Sequence, residues 1–313
     1  MRILVAGGAG FVGSALVERL LAEGHRVDVV DDLSSGSLAN LAGARRTFPG
    51  GMSFHQLDVR SPDLAELVSR CRPQVVYHLA SRPGPAESVT DPIGDAESTL
   101  LASLRVLEAA RLAGAAKVVF ASGSAVYGEV EDPPATESLP RRPLSPHGAA
   151  LGAVEAYLRA YRELHGLEHT VAVLGTVYGP GDERGMVGRF AARLAAGEPC
   201  TIYGDGTQTR DLVYVDDVVD ALARAAERGG GLTLNVATGV ETQVASVYAA
   251  LASAIGVDVP PLRAPARPGE ARRVALDPSR AAIHLGWKPW TSLVEGLPAV
   301  AAAATAQRKR SSL

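Results

Sequence analysis

The chain has 313 residues, of which 47% are apolar and 21% charged, and its formal net charge at pH 7 is −3. This composition is typical of a folded globular protein and excludes a disordered one, and the length allows a large core in one or two lobes. The small negative charge gives no reason to expect nucleic acid or an anionic membrane as a partner.

Segments that would direct the chain to a membrane or out of the cell are not predicted. No apolar run approaches the ~20 residues that span a bilayer, and the opening run from Arg2 to Ala6 is too short for a signal peptide. The two cysteines, Cys71 and Cys200, lack the spacing of metal ligands, so we expect reduced thiols and no metal site. These features predict a cytoplasmic protein.

Short apolar runs alternate with amphipathic runs through the first half of the chain. Five runs rich in valine and leucine predict strands buried on both faces: Ile3–Ala6, Val27–Val30, Val75–Leu79, Val118–Ala121 and Thr170–Leu174. Four other segments predict helices: Phe11–Glu23, Pro62–Arg70, Asp95–Ala113 and His147–Leu164. The alternation implies right-handed βαβ crossovers, and therefore an α/β fold with a Rossmann-type, doubly wound parallel sheet.

After about residue 176 the pattern loosens, because proline and glycine interrupt it more often. We expect residues 1–176 to form the Rossmann domain and residues 177–313 to form a smaller C-terminal lobe that binds the substrate. Residues 211–240 are expected to return to the sheet.

A glycine-rich segment from Gly7 to Gly13 follows the first predicted strand and opens the first predicted helix. In this context glycines make a tight turn and let the backbone approach a pyrophosphate, whose charge lies at the helix N-terminus. Asp31 ends the next strand, where a carboxylate binds the ribose hydroxyls of a dinucleotide. Asp32 adds a second negative charge and no arginine adjoins it in the sequence, so NAD is favoured over NADP. The residues predicted around the pyrophosphate are Gly7, Gly10, Phe11, Val12 and Gly13.

The second half of the chain carries motifs that point to a family. Residues 202–211 read IYGDGTQTRD, residues 214–218 read YVDDV, and residues 267–270 read RPGE. With the glycine-rich segment, these motifs resemble the extended short-chain dehydrogenase/reductases over essentially the whole chain, and most closely the UDP-glucose 4-epimerase-like, NAD-dependent epimerase/dehydratase enzymes. The resemblance implies that Arg210 and Arg267 clamp the diphosphate of a nucleoside-diphosphate sugar, a role that suits the planar donor fork of arginine.

The resemblance also implies further contacts in both sites. At the cofactor, Asp58 and Val59 resemble the family's adenine contact, and Leu79 and Ala80 resemble the stretch that runs past the pyrophosphate. At the sugar, the candidate residues are Arg82, Tyr127, Thr176 and Tyr203.

The resemblance fails at the catalytic pair. The family segment reads Ser-Pro-Tyr-x-x-x-Lys, whereas this chain has SPHGAAL, with His147 at the tyrosine position and Leu151 at the lysine position. Gly123 stands where the family has serine or threonine, which leaves Ser122 and Ser124 as candidate substitutes. The departures therefore cluster around the sugar and leave the two nucleotide sites intact.

Two interpretations of His147 remain open. In the first it is the catalytic base, since imidazole titrates near ~6.5 without help from a neighbouring cation. Its place in the first helical turn, after Ser145 as N-cap and Pro146, also disfavours the protonated form. In the second interpretation the position is unused, and Leu151 packs where the lysine of the family meets the cofactor.

Each interpretation of His147 predicts a different function. The first predicts an NAD-dependent epimerase or oxidoreductase that acts on a UDP- or dTDP-sugar through a keto-sugar. Family dehydratases carry an Asp-Glu pair after the active-site threonine and decarboxylases carry a nearby glutamate, and residues 123–126 have neither. The second interpretation predicts a catalytically silent protein that binds NAD and a nucleotide sugar, as a regulator or partner subunit.

The two long predicted helices, 95–113 and 147–164, also bear on assembly. Related enzymes pair through these helices into a four-helix interface. The first of them carries more apolar residues than one buried face of a monomer needs: Leu100, Leu101, Leu104, Val106 and Leu107. We therefore expect a homodimer.

Overall fold

The structure, a computed structural model, describes residues 1–81 and 84–311, with side chains to residue 309. Its strands, numbered in chain order, are β1 (Arg2–Ala6), β2 (Arg26–Asp31), β3 (Met52–Gln56), β4 (Val75–His78), β5 (Lys117–Gly123), β6 (Glu168–Leu174), β7 (Thr176–Tyr178), β8 (Thr201–Tyr203), β9 (Thr209–Arg210), β10 (Leu212–Tyr214), β11 (Leu232–Val236), β12 (Thr242–Gln243) and β13 (Leu262–Ala264).

The α-helices of the described ranges alternate with these strands in the first half and dominate the second. They are α1 (Phe11–Ala22), α2 (Ala42–Thr47), α3 (Leu64–Cys71), α4 (Pro85–Thr90), α5 (Pro92–Ala96), α6 (Ala102–Leu112), α7 (Pro146–His165), α8 (Met186–Ala195), α9 (Val215–Ala225), α10 (Val244–Ile255), α11 (Ser279–Leu285) and α12 (Leu293–Ser311). None of the helices described combines the length and apolar character that a bilayer crossing needs.

Seven strands form one sheet in the order β3-β2-β1-β4-β5-β6-β11, and every neighbouring pair is parallel. The chain runs outward from β1 to β3, then crosses back to β4 and runs outward the other way. This reversal between β1 and β4 opens the crevice in which α/β folds bind ligands. The predicted Rossmann-type, doubly wound sheet is therefore confirmed.

Burial on both faces explains the apolar strands. In β1, Ile3 and Val5 belong to one core cluster, with α1, α9 and α11, while Leu4 and Ala6 belong to another, with α3, α6 and α7. Because side chains alternate across a strand, a strand covered on both faces must be apolar at every position. The five predicted strands lie within β1, β2, β4, β5 and β6, apart from one residue at the end of β4.

A third core cluster lies in the C-terminal half, formed by α8, α10 and α12 with β8 and the end of β7. The division into a domain over residues 1–176, with residues 211–240 returning to it, and a smaller lobe over residues 177–313 stays a prediction. Four residues beyond 240 also pack in the clusters around the sheet: Leu276, Ala281, Leu285 and Trp287.

The predicted helix over 95–113 contains an irregularity. Residues 92–112 are helical throughout, but Glu97–Leu101 between α5 and α6 form a wider π-helical turn. Such turns shift the face that a helix presents and are frequent at functional sites. Here the turn separates Asp95 from Ser103, and both side chains are buried.

Candidate functional site

One cavity, of about 500 Å³, opens at the carboxyl ends of β1, β2 and β4. All eleven residues expected to contact the cofactor line it: Gly7, Gly10, Phe11, Val12, Gly13, Asp31, Asp32, Asp58, Val59, Leu79 and Ala80. The cavity is also lined by four residues that the sequence did not predict: Ser34, Ser35, Ser98 and Arg60. Ser34 and Ser35 follow the predicted strand that ends at Asp31, so their position could have been predicted. Ser98 lies in the helical segment 92–112, and no motif around it indicates a cofactor contact.

The glycines at this cavity are required by close packing. Gly7 has a left-handed φ of +82°, and a Cβ at Gly13 would lie 2.1 Å from the carbonyl oxygen of Gly7. Helix α1 starts after Gly10 with no side-chain cap and no acidic residue in its first turn. The first turn therefore offers backbone N–H groups and positive dipole to an anion, and the cradle fits a dinucleotide pyrophosphate.

The carboxylate expected at the ribose is held in place from both sides. Asp31 is buried, and its two oxygens accept hydrogen bonds from the amides of Ala9 and Leu33, each at 2.9 Å. Each oxygen retains a lone pair that can accept a ribose hydroxyl. The neighbouring Asp32 is exposed and accepts from Ser34.

One arginine, Arg60, lies far from Asp31 and Asp32 in the sequence, but the fold brings it to the same cavity. Arg60 lines the cavity, and its Nη2 and Nε donate to Asp58 Oδ2 at 2.6 and 2.9 Å. These bonds, against the opposing effect of burial, lower the pKa of Asp58. The guanidinium is therefore already neutralised by a carboxylate of the same cavity.

A second cavity, of about 520 Å³, lies between the ends of β5 and β6 and the C-terminal lobe. Six residues predicted at the reacting sugar or the diphosphate line it together: Ser124, His147, Thr176, Tyr203, Arg210 and Arg267. Ser122 and Tyr127 do not line it. Arg82, also predicted there, lies outside the described residues.

The two predicted phosphate-binding arginines share one acidic partner. Arg210 Nη2 donates to Glu270 Oε2 at 2.8 Å, and Arg267 Nη1 lies 3.6 Å from Glu270 Oε1. Arg267 also stacks over the ring of Tyr203, with its guanidinium carbon 3.7 Å from the ring centroid. Backbone carbonyls of Thr209 and Ala271 accept from Arg210 Nη1. These contacts fix the orientation of both guanidinium groups, and both arginines line the cavity.

Two further arginines of this cavity were missed by the sequence analysis. Arg189 and Arg193 stand four residues apart on α8 and both line the cavity. Their helical spacing is a signal that could have placed them on one face. With Arg210 and Arg267 they make the cavity strongly cationic, which suits a diphosphate.

His147 lies in the first turn of α7, as the sequence predicts. Ser145 caps this helix by accepting from the amide of Gly148 at 3.2 Å, and Pro146 occupies the first turn. The imidazole is buried, with 8% of the residue exposed, and Nδ1 lies 3.1 Å from Asp95 Oδ1. Within the described ranges this is the hydrogen bond that the ring makes, and the residue lines the cavity.

Beyond its bond to Asp95, His147 has an apolar wall near it, formed by Leu151 and Gly123. Leu151, one turn later on α7, is 3% exposed and belongs to the core cluster with α3, α6 and α7. A Cβ added at Gly123 would lie 3.7 Å from Leu151 Cδ1, so these two residues form one wall. Ser124 follows at the start of a single 3₁₀ turn and lines the cavity.

Ser122 and Tyr127 have partners elsewhere. The Ser122 hydroxyl donates to Glu155 Oε1 at 2.7 Å, and Glu155 in turn pairs with Arg141. The Tyr127 hydroxyl donates to Asn235 Oδ1 at 2.7 Å, and burial raises its pKa. Both hydroxyls therefore bond to residues of the surrounding helix and strand, α7 and β11. Neither Ser122 nor Tyr127 lines the cavity, contrary to the prediction.

Known proteins resemble this chain along nearly its whole length. Residues 3–237 match the NAD dependent epimerase/dehydratase family. The UDP-glucose 4-epimerase of Mycolicibacterium smegmatis is 44% identical over 303 residues, which cover 95% of this chain and 96% of that protein.

Two crystal structures show the same fold. The UDP-glucose 4-epimerase of Thermotoga maritima with UDP-glucose has a TM-score of 0.90 at 37% identity, covering 99% of this chain and 100% of that one. The UDP-glucose 4-epimerase of Thermus thermophilus in complex with NAD has a TM-score of 0.90 at 39% identity, covering 97% and 99%. These matches confirm the resemblance found in the sequence and NAD as the family's cofactor. This chain belongs to the NAD dependent epimerase/dehydratase family.

Proposed function

We propose that the protein is an NAD-dependent nucleotide-sugar epimerase or oxidoreductase in which His147 replaces the tyrosine base of its relatives. The observation that supports this proposal is the position of His147: its imidazole is fixed on one side by Asp95, and the residue lines the same cavity as Arg210 and Arg267. A sugar whose diphosphate binds the arginines would extend toward the imidazole.

The residues of the first cavity fit NAD in the order that the fold dictates. The turn from Gly7 to Gly13 would hold the pyrophosphate, Asp31 the adenosine ribose, and Asp58 with Val59 the adenine end. Bound NAD supplies the chemistry of hydride uptake and return at a sugar carbon.

The second cavity would hold a UDP- or dTDP-sugar by its phosphates. Arg210 and Arg267 present planar forks that match phosphate oxygens. Glu270 keeps both forks oriented before the ligand arrives. The Thermotoga maritima relative, whose crystal structure contains UDP-glucose, supports this choice of ligand class.

In the proposed reaction His147 moves the hydroxyl proton. Oxidation of a secondary alcohol requires loss of the O–H proton as the C–H hydrogen leaves, and a neutral imidazole nitrogen within reach of the hydroxyl can accept it. The same nitrogen returns the proton when the keto group is reduced from the other face, which gives the epimer. Ser124, which lines the same cavity, would hydrogen-bond the reacting oxygen.

A second candidate function rests on the wall beside His147. Leu151 and Gly123 present carbon atoms where the family places a lysine and a hydroxyl. A protein of this kind that binds both nucleotides and transforms neither would act as a regulator or partner subunit.

Product analysis distinguishes the two functions. The protein is incubated with NAD and a panel of UDP- and dTDP-sugars. Because epimers have equal masses, the products are first separated by chromatography and then identified by mass spectrometry. Conversion of one sugar, abolished in His147→Ala, supports the enzyme. Binding of a sugar without conversion of any, and with no effect of His147→Ala, contradicts it and leaves the binding function.

The proposal includes a homodimer in the cytoplasm. Large apolar side chains are exposed along the helical segment 92–112 and along α7, the two elements that pair in related enzymes: Ile93, Leu101, Leu112, Tyr157 and Leu164. Burial of these side chains against a second copy would remove them from water. Both described cysteines are free thiols, in keeping with a reducing compartment.

A further inference from the structure

The partner of His147 lies 52 residues away in the sequence and has no role among those considered above. Asp95 is 2% exposed, and its Oδ1 lies 3.1 Å from His147 Nδ1. The two residues come from different helices, α5 and α7, which pack against each other. His147 is further held by its backbone amide, which donates to Ser88 Oγ at 3.1 Å.

The carboxylate determines which nitrogen of the imidazole carries the proton. Neutral imidazole has one N–H and one lone pair, while an ionised carboxylate only accepts. Nδ1 must therefore donate to Asp95, and the lone pair is left on Nε2. Because His147 lines the sugar cavity, this tautomer supplies a base there.

The helical turn beyond Asp95 ties this pair to the cofactor. Asp95 Oδ2 and Thr99 Oγ1, four residues later, are buried without a hydrogen-bond partner among the described residues. Ser98, in the same π-helical turn, lines the cofactor cavity. One short segment therefore holds the orientation of His147 and borders the site where NAD would bind.

We propose that Asp95 is a positioning residue that holds His147 in the Nδ1–H tautomer and stabilises its protonated form during turnover. Its negative charge would support the protonated imidazole, while the position of the family's lysine is occupied by the apolar Leu151. This inference rests on the proposed function for its catalytic meaning, but the tautomer itself is a property of the protein alone.

The test reads the tautomer by nitrogen NMR of the seven histidines, with His147 assigned by comparison with His147→Gln. Wild type at neutral pH is expected to show a protonated Nδ1 and an unprotonated Nε2 at His147. A protonated Nε2 would overturn the inference whether or not the protein turns over a sugar.

Substitution adds the kinetic arm. Asp95→Asn keeps the volume, but its amide can donate as well as accept, so both tautomers become populated and kcat should fall about ten- to a hundredfold, with KM and NAD affinity unchanged. Asp220→Asn is the matched control, because it removes another buried carboxylate, which pairs with Arg19 and Arg224. An Asp95→Asn enzyme with wild-type kcat would contradict the role. Absence of turnover in wild type would contradict the proposed function and leave the tautomer result standing.

An independent observation concerns the outer end of the sheet. Asp28 on β2, His55 on β3 and Cys71 at the end of α3 place one ligand atom each within 4.8 Å of one another. His55 Nε2 lies 3.0 Å from Asp28 Oδ1 and 4.0 Å from Cys71 Sγ. The spacing of Cys71 in the sequence gives no sign of this group, because the three ligands come from three elements.

The three donor types suit a thiophilic divalent cation. Zinc takes thiolate, imidazole and carboxylate ligands at about 2.0–2.3 Å in a tetrahedron, which places neighbouring donor atoms roughly 3.3–3.7 Å apart. The two separations given above lie just below and just above this range.

We propose that Asp28, His55 and Cys71 form a binding site for zinc or a similar cation, with water in the fourth position. Such an ion would fasten β3, the edge strand of the sheet, to α3. The site stands apart from both nucleotide cavities, since none of its three residues lines either of them.

Cobalt(II) titration tests this site without any activity measurement. Coordination by Cys71 is expected to produce a near-ultraviolet thiolate-to-cobalt charge-transfer band that saturates at one equivalent of cobalt. Added zinc should then displace the cobalt and remove the band. Cys71→Ser should abolish the band, while Cys200→Ser, the matched control, should retain it. A band absent from wild type, or one that survives Cys71→Ser, would overturn the proposal.

Discussion

Arg210 Nη2 donates to Glu270 Oε2 at 2.8 Å, and both side chains line the cavity between the sheet and the C-terminal lobe. The pair is largely shielded from water, with 16% and 26% of the two side chains exposed. An arginine held in this way is oriented before a phosphate arrives, and less side-chain freedom is lost on binding.

Arg210→Lys is expected to weaken UDP binding by about 1.5–3 kcal/mol, the scale of a hydrogen bond to a charged group. Lysine keeps the charge but loses the planar fork. NAD affinity should stay unchanged, and so should UDP affinity in Arg224→Lys, an arginine of α9 paired with Asp220. Calorimetry measures these affinities in wild type and in the two variants. Unchanged UDP affinity in Arg210→Lys would show that the diphosphate binds elsewhere.

We expect the protein to bind NAD at least about tenfold more tightly than NADP, a difference of ~1.4 kcal/mol. The added phosphate of NADP would meet Asp31 and Asp32, and the nearby Arg60 is already bound by Asp58. Calorimetry with both cofactors measures the ratio.

Asp32→Ser should reduce the ratio of NAD affinity to NADP affinity, because it removes a negative charge. The hydrogen bonds that Asp31 accepts from the amides of Ala9 and Leu33 are left in place. Glu183→Ser, on the exposed surface, is the control and should leave the ratio unchanged. Equal affinity of wild type for the two cofactors would disprove the ribose assignment of Asp31.

His147→Gln is expected to lower kcat at least about a hundredfold, the low end of general-base contributions. His284→Gln, on the exposed side of α11, is the control. Steady-state rates with the sugar identified by product analysis decide the matter, and a wild-type rate in His147→Gln would exclude the residue as base.

The family pair can also be restored. His147→Tyr together with Leu151→Lys should recover part of the turnover lost in His147→Gln, since lysine would lower the pKa of the new tyrosine. Leu151→Lys alone places a charge in an apolar core and should lower the melting temperature. Recovery by His147→Tyr alone would show that position 151 has no electrostatic role.

Local patterns predicted what depends on local structure. Helix α7 spans Pro146–His165, within one residue at each end of the prediction, because the Ser-Pro start and the glycine at 166 are cap signals. The fate of Ser122 and Ser124 could not be read in this way. Strand β5 ends at Gly123 and a 3₁₀ turn begins at Ser124, so the alternation of side chains stops between them and only Ser124 reaches the cavity.

Long-range partners were the part beyond reach. Asp95 meets His147, and Glu270 meets Arg210 across 60 residues. These contacts arise from how α5 packs on α7 and how the loop after β13 folds over the cavity. No periodicity within a single segment encodes such packing, so the sequence pointed to His147, Arg210 and Arg267 as candidates but not to the carboxylates beside them.

Buried His78 predicts a pH dependence of stability. Burial lowers the pKa of this imidazole from its ordinary value near 6.5 to about 4. The unfolded chain therefore binds a proton that the folded chain excludes, and the stability present above about pH 6.5 is lost as the pH falls toward 4. The loss is on the order of 3 kcal/mol.

His78→Phe should remove this loss, since phenylalanine does not titrate and can stack on Phe120 as the imidazole does. Urea unfolding at several pH values between 4 and 7 measures the difference between the two proteins. His284→Phe on the surface should leave the pH profile as in wild type. Parallel profiles for wild type and His78→Phe would show that His78 does not titrate in this way.

Leu101→Asp is expected to convert a homodimer into a monomer. Half of Leu101 is exposed in the single chain, on the segment 92–112 that also exposes Ile93 and Leu112, and a carboxylate buried between two copies would lack a partner. Light scattering at micromolar concentration should give twice the chain mass of 32.4 kDa for wild type and the single mass for the variant. Ile283→Asp, on α11 with 76% of the residue exposed, is the matched control and should remain dimeric. A monomeric wild type would refute the dimer, and a dimeric Leu101→Asp would place the interface on another surface.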